Sequence, residues 1–207
     1  MAVVVAVLAG SSMSAHRRDE YLQAARLTID PDRVAIALDL TPGIAVADVV
    51  RAEIDRDGDG AVSRQERNEY VRRIVTGIAL DVDGRPLTLG VVDDAFPDLD
   101  AMRQGEGTIR INATAALPQL GEGVHHLRYR NSHRPEIGAY LANALVPGSD
   151  RVSIAAQRRD VDQRELTIEY TLRADPRSRA RDGLVAGVVA ALLWMTSMRW
   201  RRASTQS

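Results

Sequence analysis

A chain of 207 residues with 45% hydrophobic residues is long enough to bury one core of moderate size. Its formal net charge of -1 at pH 7 lacks the basic surplus typical of nucleic-acid binding, so we expect no nucleic-acid partner. Cysteine is absent, which excludes disulfides and thiolate metal sites. Compartment and partners must therefore be inferred from local features.

Residues 1–15 have the layout of a secretory signal peptide. An apolar run from Val3 to Ala9 is followed by small residues and then by the polar stretch HRRDE, which predicts cleavage near Ala15. No positively charged region precedes the apolar run. The alternatives are a true start upstream of Met1 or a first strand of a buried sheet.

Residues 16–176 are predicted to form a mainly β domain, an antiparallel β-sandwich of eight or nine strands. The period-two segments YLQAARLTI and RVAIALDL flank a turn that contains Pro31, which predicts a hairpin. The stretch IALDVDGRPLTLGVV predicts two short strands around the turn pair Asp83-Gly84. Further strand candidates are GTIRINATAAL, HHLRYRN, AYLANALV, RVSIAAQ and RELTIEYTL.

One helical segment interrupts the strands at about residues 45–78. Apolar residues recur at spacings of three and four in IAVADVVRAEI and in SRQERNEYVRRIV. The sequence therefore predicts a helix-loop-helix inserted between the second and third strands.

The loop between these helices, IDRDGDGAVSRQE, has the residue pattern of an EF-hand calcium loop. Carboxylates stand at positions 1, 3, 5 and 12, and Gly60 stands at position 6, where the template requires a sharp turn. Six to eight oxygens at loose geometry suit Ca²⁺ better than Mg²⁺. We expect one Ca²⁺ ion, and the alternative is a solvated Asp-Gly turn. The predicted ligands are Asp55, Asp57, Asp59, Ala61 through its carbonyl, Ser63 and Glu66.

The four histidines suggest a second, different metal site. Cleavage after Ala15 would place His16 at the new amino terminus, where the amine and the ring nitrogen together can chelate copper or nickel. His133 is the candidate for completing that site, and the alternative is ordinary surface histidines. Neighbouring residues on a strand point to opposite faces, so His125 and His126 cannot both face one ion.

Catalytic motifs are missing from the sequence. It contains no cysteine, no G-x-S-x-G elbow and no glycine-rich phosphate loop, so no nucleophile or nucleotide site is supported. We therefore expect no enzyme and no catalytic residues.

The far end of the chain is predicted to be a membrane anchor. An uncharged run from Gly183 to Met198 lies between Arg181 and Arg199, and at about 1.5 Å per residue it nearly spans the hydrocarbon layer. A soluble core helix is the alternative, but it would need a polar face that this run lacks. The prediction is a polar linker at 177–182, a transmembrane helix at 183–199 and a cytoplasmic tail at 200–207. The protein would then cross the cell membrane once, with its main domain on the extracytoplasmic side.

Four stretches, together with the aspartate loop, carry a family resemblance. These stretches are AHRRDEYLQAARLTI, MRQGEGTIRI, LRYRNSHRPEIGAYLANALVP and VSIAAQRRD. They resemble the exported N-terminal domain of a group of bacterial EF-hand membrane proteins, some of which continue into a permease of the HupE/UreJ nickel-transport type. The resemblance covers roughly residues 15–160 and implies an extracytoplasmic domain linked to metal uptake. This chain departs from the pattern because it has one predicted span and no permease.

Three functions are consistent with these observations. The leading interpretation is a non-catalytic, membrane-anchored protein whose exported domain is stabilised or regulated by Ca²⁺. The alternative is an accessory subunit that captures nickel or copper through His16 and passes it to a separate permease. A third class is an adhesion or signalling ectodomain.

Overall fold

The computed structural model describes residues 19–175. The predicted signal peptide, linker, transmembrane helix and cytoplasmic tail, as well as His16, lie outside the described residues. Within 19–175, no helix is both long enough and apolar enough to cross a bilayer.

Over these residues the chain is mainly β, with ten strands in two five-stranded sheets and three helices. The first sheet contains β1 (Tyr21–Ile29), β2 (Arg33–Pro42), β5 (Gly90–Ala95), β6 (Ile109–Ala116) and β8 (Gly138–Ala144), in the order β5-β6-β2-β1-β8. The second contains β3 (Ile78–Val82), β4 (Arg85–Pro86), β7 (Gly123–Asn131), β9 (Val152–Arg159) and β10 (Glu165–Leu172), in the order β4-β3-β7-β10-β9. The helices are α1 (Ile44–Ile54), α2 (Arg64–Thr76) and α3 (Leu99–Arg103).

Alternating burial along the strands brings the two sheets onto one core. Every second residue of β1 and of β10 is buried, so each strand turns one row inward, and this row is apolar except for Gln23 on β1. Residues from both sheets and from α1 and α2 belong to one hydrophobic cluster, which includes Leu27, Ile36, Tyr129 and Ile168. The mainly β prediction is therefore confirmed.

Both predicted hairpins are present. β1 and β2 pair from Tyr21–Pro42 to Ile29–Val34 around the turn that contains Pro31. β3 and β4 pair around Asp83 and Gly84, whose φ angles of 51° and 76° lie in the left-handed region that such a two-residue turn needs. Hairpins depend on neighbouring residues, which explains why the sequence pattern was sufficient for them.

The fully antiparallel arrangement is wrong, because β8 pairs with β1 in parallel. β7 ends at Asn131 in the second sheet, and a short connection leads to Gly138, which pairs with Tyr21 at the start of β1. β8 therefore runs in the same direction as β1. The predicted strand RPLTLGVV is also divided: its start, β4, lies in the second sheet, and its end joins β5 in the first sheet. The helix α3 was not predicted.

The helical segment lies between β2 and β3, as the spacing predicted, and carries the chain from the first sheet to the second. We call the end of the domain that carries α1 and α2 the helical end. The opposite end, formed by residues 30–32, 117–122, 145–151 and 173–175, is called the exit end, because the described chain leaves the domain there at Asp175.

Candidate metal centre

The aspartate loop folds around one buried carboxylate. Asp55 follows the last residue of α1, and its side chain has no exposed area. Its Oδ1 accepts a hydrogen bond from the Gly58 N–H at 2.8 Å, and its Oδ2 accepts one from the Gly60 N–H at 3.1 Å. These bonds curl the backbone of residues 55–60 around the Asp55 side chain.

Three of the predicted ligands come together in this loop. One carboxylate oxygen from each of Asp55, Asp57 and Asp59 lies within 4.8 Å of the other two. Each of the two exposed aspartates also accepts a backbone hydrogen bond two residues further on: Asp57 from the Asp59 N–H at 3.2 Å and Asp59 from the Ala61 N–H at 2.8 Å. The loop backbone therefore holds all three carboxylates towards one point.

Two glycines make this curvature possible. Gly58 has φ 74° and Gly60 has φ 84°, both in the left-handed region that residues with a Cβ rarely adopt. An added Cβ at either position would meet no atom within 4 Å. The requirement for glycine is therefore one of backbone conformation and not of space.

Charge in the cluster is only partly compensated. Arg51 Nη1 lies 3.5 Å from Asp55 Oδ2, one helical turn earlier in α1. The neighbouring Arg56 instead pairs with Glu69, at 3.3 Å. No arginine in residues 19–175 lies within ion-pair distance of Asp57 or Asp59, so the cluster retains an excess of negative charge.

Glu66, the predicted bidentate ligand, is not one of the three clustered carboxylates. Its Oε2 accepts hydrogen bonds from the Ser63 hydroxyl at 2.7 Å and from the Ser63 N–H at 3.0 Å, and its Oε1 accepts one from the Arg56 N–H at 2.6 Å. The Ser63 hydroxyl bond, followed by the backbone bonds, lowers the pKa of Glu66 to about 2. Glu66 is therefore ionised at neutral pH and lies against the loop backbone.

Ser63 and Glu66 also form a capping box at the start of α2. The Glu66 N–H donates to the Ser63 hydroxyl at 3.3 Å, while the Glu66 side chain accepts from the Ser63 N–H. The sequence signal for this cap is Ser63 followed three residues later by Glu66. The same two residues also match the metal template, which does not indicate the cap. Glu66 thus accepts hydrogen bonds both from the loop backbone and from the N-cap residue of α2.

An aromatic cluster connects α2 to the first sheet and to the loop that follows β7. The Tyr70 hydroxyl on α2 lies 2.8 Å from the Tyr21 hydroxyl on β1, and both side chains are fully buried. The ring of His133 forms T-shaped contacts with both tyrosine rings, with centroid distances of 6.1 Å and 6.0 Å. Burial raises the pKa of both tyrosines. The loop therefore sits on a helix that is fixed to the domain interior.

His133, proposed from the sequence for the second metal site, lies in this interior. It is 8% exposed, and burial, with a smaller contribution from nearby Arg134 and Arg73, lowers its pKa to about 4. Its Nε2 has no hydrogen-bond partner among the described residues. Because His16 lies outside those residues, the nickel or copper site stays a prediction.

Amide side chains hold the backbone around His133. Asn131 accepts from the His133 N–H at 2.9 Å and donates to Gln23 at 2.9 Å, and Gln23 donates to the His133 carbonyl at 2.8 Å. Sequence patterns gave no indication of this network, because Gln23 is more than one hundred residues away from Asn131 and His133 along the chain.

His125 and His126 lie beside acidic residues. His125 Nδ1 lies 2.8 Å from Asp83 Oδ2, and its Nε2 lies 2.9 Å from the Gly121 carbonyl oxygen. His126 lies 3.7 Å from Glu169. Both ring nitrogens of His125 are thus engaged by protein atoms, and the two rings have separate partners.

Comparison with family models, curated proteins and solved structures gives no match for this chain. The resemblance to the exported domain of EF-hand membrane proteins therefore stays a prediction, and function is inferred from the geometry of the chain itself.

Proposed function

We propose that this chain is a calcium-binding, membrane-anchored extracytoplasmic protein without catalytic activity, in which Ca²⁺ stabilises or regulates the domain. The observation that carries the calcium proposal is the convergence of Asp55, Asp57 and Asp59 within 4.8 Å in a loop between two helices. Three carboxylates this close repel one another, and a divalent cation relieves that repulsion while using their oxygens as ligands.

The identity of the ion follows from the type and number of available oxygens. The loop offers carboxylates, the Ala61 carbonyl and the Ser63 hydroxyl, and no sulfur or imidazole. Oxygen-only sets favour Ca²⁺ or Mg²⁺, and an irregular loop with four carboxylates suits the larger ion with its looser geometry. Calcium is therefore the favoured ion.

Glu66 would link the ion to the helix. To act as a bidentate ligand it would have to exchange its hydrogen bonds with Ser63 and Arg56 for the ion. The bond from the Ser63 N–H also caps α2, so ion binding would act directly on the first turn of that helix. Tyr70 on α2 would pass the effect to Tyr21 and so to the sheets. This route supports a stabilising or regulatory role.

Support for the membrane anchor comes from the sequence alone. The uncharged run from Gly183 to Met198, bounded by arginines, has the composition of a transmembrane segment and nearly the length of one. With the predicted signal peptide at 1–15, this run would leave the two-sheet domain on the extracytoplasmic side of the cell membrane.

The test compares the full-length protein in detergent micelles with excess EGTA, Ca²⁺ or Mg²⁺, by calorimetric titration and by thermal unfolding. At a free Ca²⁺ concentration one hundred times Kd, binding adds about 2.7 kcal/mol to the stability. For a domain of this size, that corresponds to a rise in Tm of roughly 5–11 °C. We expect a much smaller effect of Mg²⁺ at the same concentration.

Asp57→Asn is the sharpest variant, because Asp57 is exposed and accepts only one backbone hydrogen bond, which an amide oxygen can also accept. It should weaken calcium binding at least about tenfold without unfolding the domain. Asp162→Asn is the matched control, since Asp162 is an exposed aspartate that pairs with Arg164 far from the loop. Identical melting of the wild-type protein in EGTA and in excess Ca²⁺ would refute the proposed function.

A further inference from the structure

We infer that the exit end of the domain faces the bilayer, and that Leu145 and Val146 contact the lipid surface. This inference rests on the membrane anchor of the proposed function and is independent of calcium binding.

The exit end presents an apolar loop tip. Val146 is 91% exposed and Leu145 is 43% exposed, and both stand in the loop between β8 and β9. Beside them lies an open groove of about 540 Å³, lined mainly by apolar residues that include Pro147, Val152 and Ile154. Leu145 and Val146 add two adjacent exposed apolar side chains to the apolar lining of this groove, and such a combined patch favours an apolar partner.

The same loop is joined to the place where the chain leaves the domain. The Arg173 N–H donates to the Arg151 carbonyl at 2.8 Å, and Arg151 Nε donates to the Arg173 carbonyl at 3.1 Å. Arg151 also lies 3.9 Å from Asp175, and Arg173 Nη1 donates to the Asp150 carbonyl at 3.3 Å. Hydrogen bonds therefore join the end of this loop to the exit point of the chain.

The distance to the membrane is limited by the chain that follows. Only residues 176–182 separate Asp175 from the apolar run that starts at Gly183. Fully extended, such a segment spans at most roughly 25 Å. The helical end, with the aspartate loop, lies a further strand length away, roughly 25 Å for β10 at about 3.3 Å per residue. Once the apolar run is inserted, the exit end is the part of the domain nearest to the lipid.

Charge attraction does not explain why the exit end would contact lipid. The exit end carries more acidic than basic residues. The acidic residues are Asp30, Asp32, Glu122, Asp150 and Asp175, and the basic residues are Arg151 and Arg173. Because this acidic excess does not attract anionic headgroups, Leu145 and Val146 are the expected source of contact, and an uncharged lipid surface is sufficient for it.

The absence of cysteine from the sequence permits a clean test with single labels. Full-length Val146→Cys carries an environment-sensitive fluorophore at the loop tip, and Val161→Cys carries it in the turn between β9 and β10. Val161 is 101% exposed and lies at the helical end, so the two variants match in residue type and exposure but differ in position. Both proteins are reconstituted into phosphatidylcholine vesicles, with and without phosphatidylglycerol and with and without nitroxide-labelled lipid.

We expect quenching by nitroxide lipid several-fold stronger at position 146 than at 161, in both lipid compositions. Equal quenching at the two positions, or stronger quenching at 161, overturns the inference. If the emission of the label at 146 shifts to the blue without quenching by nitroxide lipid, the inference is also overturned, because another protein segment then covers the loop. Flotation of the vesicles distinguishes failure of the membrane anchor from failure of the proposed orientation. If the protein does not float with the vesicles, the membrane anchor is rejected. If it floats but the label at 146 is not quenched, only the proposed orientation is rejected.

Discussion

The hydrogen bond between Tyr21 and Tyr70 gives a quantitative prediction for the link between α2 and the first sheet. Both side chains are 0% exposed, and the two hydroxyls are 2.8 Å apart. Tyr70→Phe removes one hydroxyl and leaves the Tyr21 hydroxyl buried without this partner. An unsatisfied buried hydroxyl costs about 1–3 kcal/mol, and Tyr21→Phe should cost a similar amount for the same reason.

The double variant carries the sharper test. When both hydroxyls are replaced, no polar group is left without its partner, so its stability should lie closer to wild type than that of either single variant. Urea unfolding followed by circular dichroism measures the difference. At an m value of about 1–3 kcal/mol per molar urea, each single variant should lower the midpoint by roughly 1 M.

Tyr170→Phe is the control for this experiment. Tyr170 is also buried, at 1% exposure, but its hydroxyl has no hydrogen-bond partner among the described residues. Its removal should leave stability unchanged or slightly higher. If the losses of Tyr21→Phe and Tyr70→Phe simply add in the double variant, the two hydroxyls do not depend on each other and the reasoning is wrong.

Two further predictions follow from burial and backbone geometry. Burial lowers the pKa of His133 to about 4 from an ordinary value of 6.5, so between these pH values the unfolded chain binds a proton that the folded chain does not. The free energy of unfolding should therefore fall by about 3 kcal/mol as pH drops through this window, and urea midpoints of His133→Leu should show a smaller fall. A Cβ at Gly107 would lie 2.9 Å from Met102 Cα, so Gly107→Ala should lower stability by about 1–3 kcal/mol. Gly121→Ala, where a Cβ meets nothing within 4 Å, should leave the thermal midpoint within error of wild type, and equal effects of the two would contradict this account.

Features that depend on neighbouring residues were accessible from the sequence. The β1–β2 hairpin follows from period-two alternation on either side of Pro31, and the turn at Asp83 and Gly84 follows from residues that tolerate positive φ. The aspartate loop belongs to the same class, because all its candidate ligands lie between Asp55 and Glu66. Spacing alone predicted that Asp55, Asp57 and Asp59 would face one point.

Glu66 marks the limit of the loop template. The template assigns it to the ion, but the tertiary structure places both its oxygens on the backbone and hydroxyl donors of Arg56 and Ser63. A carboxylate accepts from the donors that lie closest, and here those donors are the loop backbone at Arg56 and the N-cap residue of α2, Ser63. The sequence identified Glu66 as a candidate ligand. It did not determine whether Glu66 contacts an ion or the donors of Ser63 and Arg56.

Only the tertiary structure decided which distant segments meet. The parallel pairing of β8 with β1, the division of β4 and β5 between two sheets, and the burial of His133 between Tyr21 and Tyr70 all join residues far apart in the chain. Local pattern fixes which face of a strand is apolar, and that is what the sequence by itself determined here. The choice of neighbour depends on how all the apolar faces close over a single core, because burial favours contact in general and no particular partner.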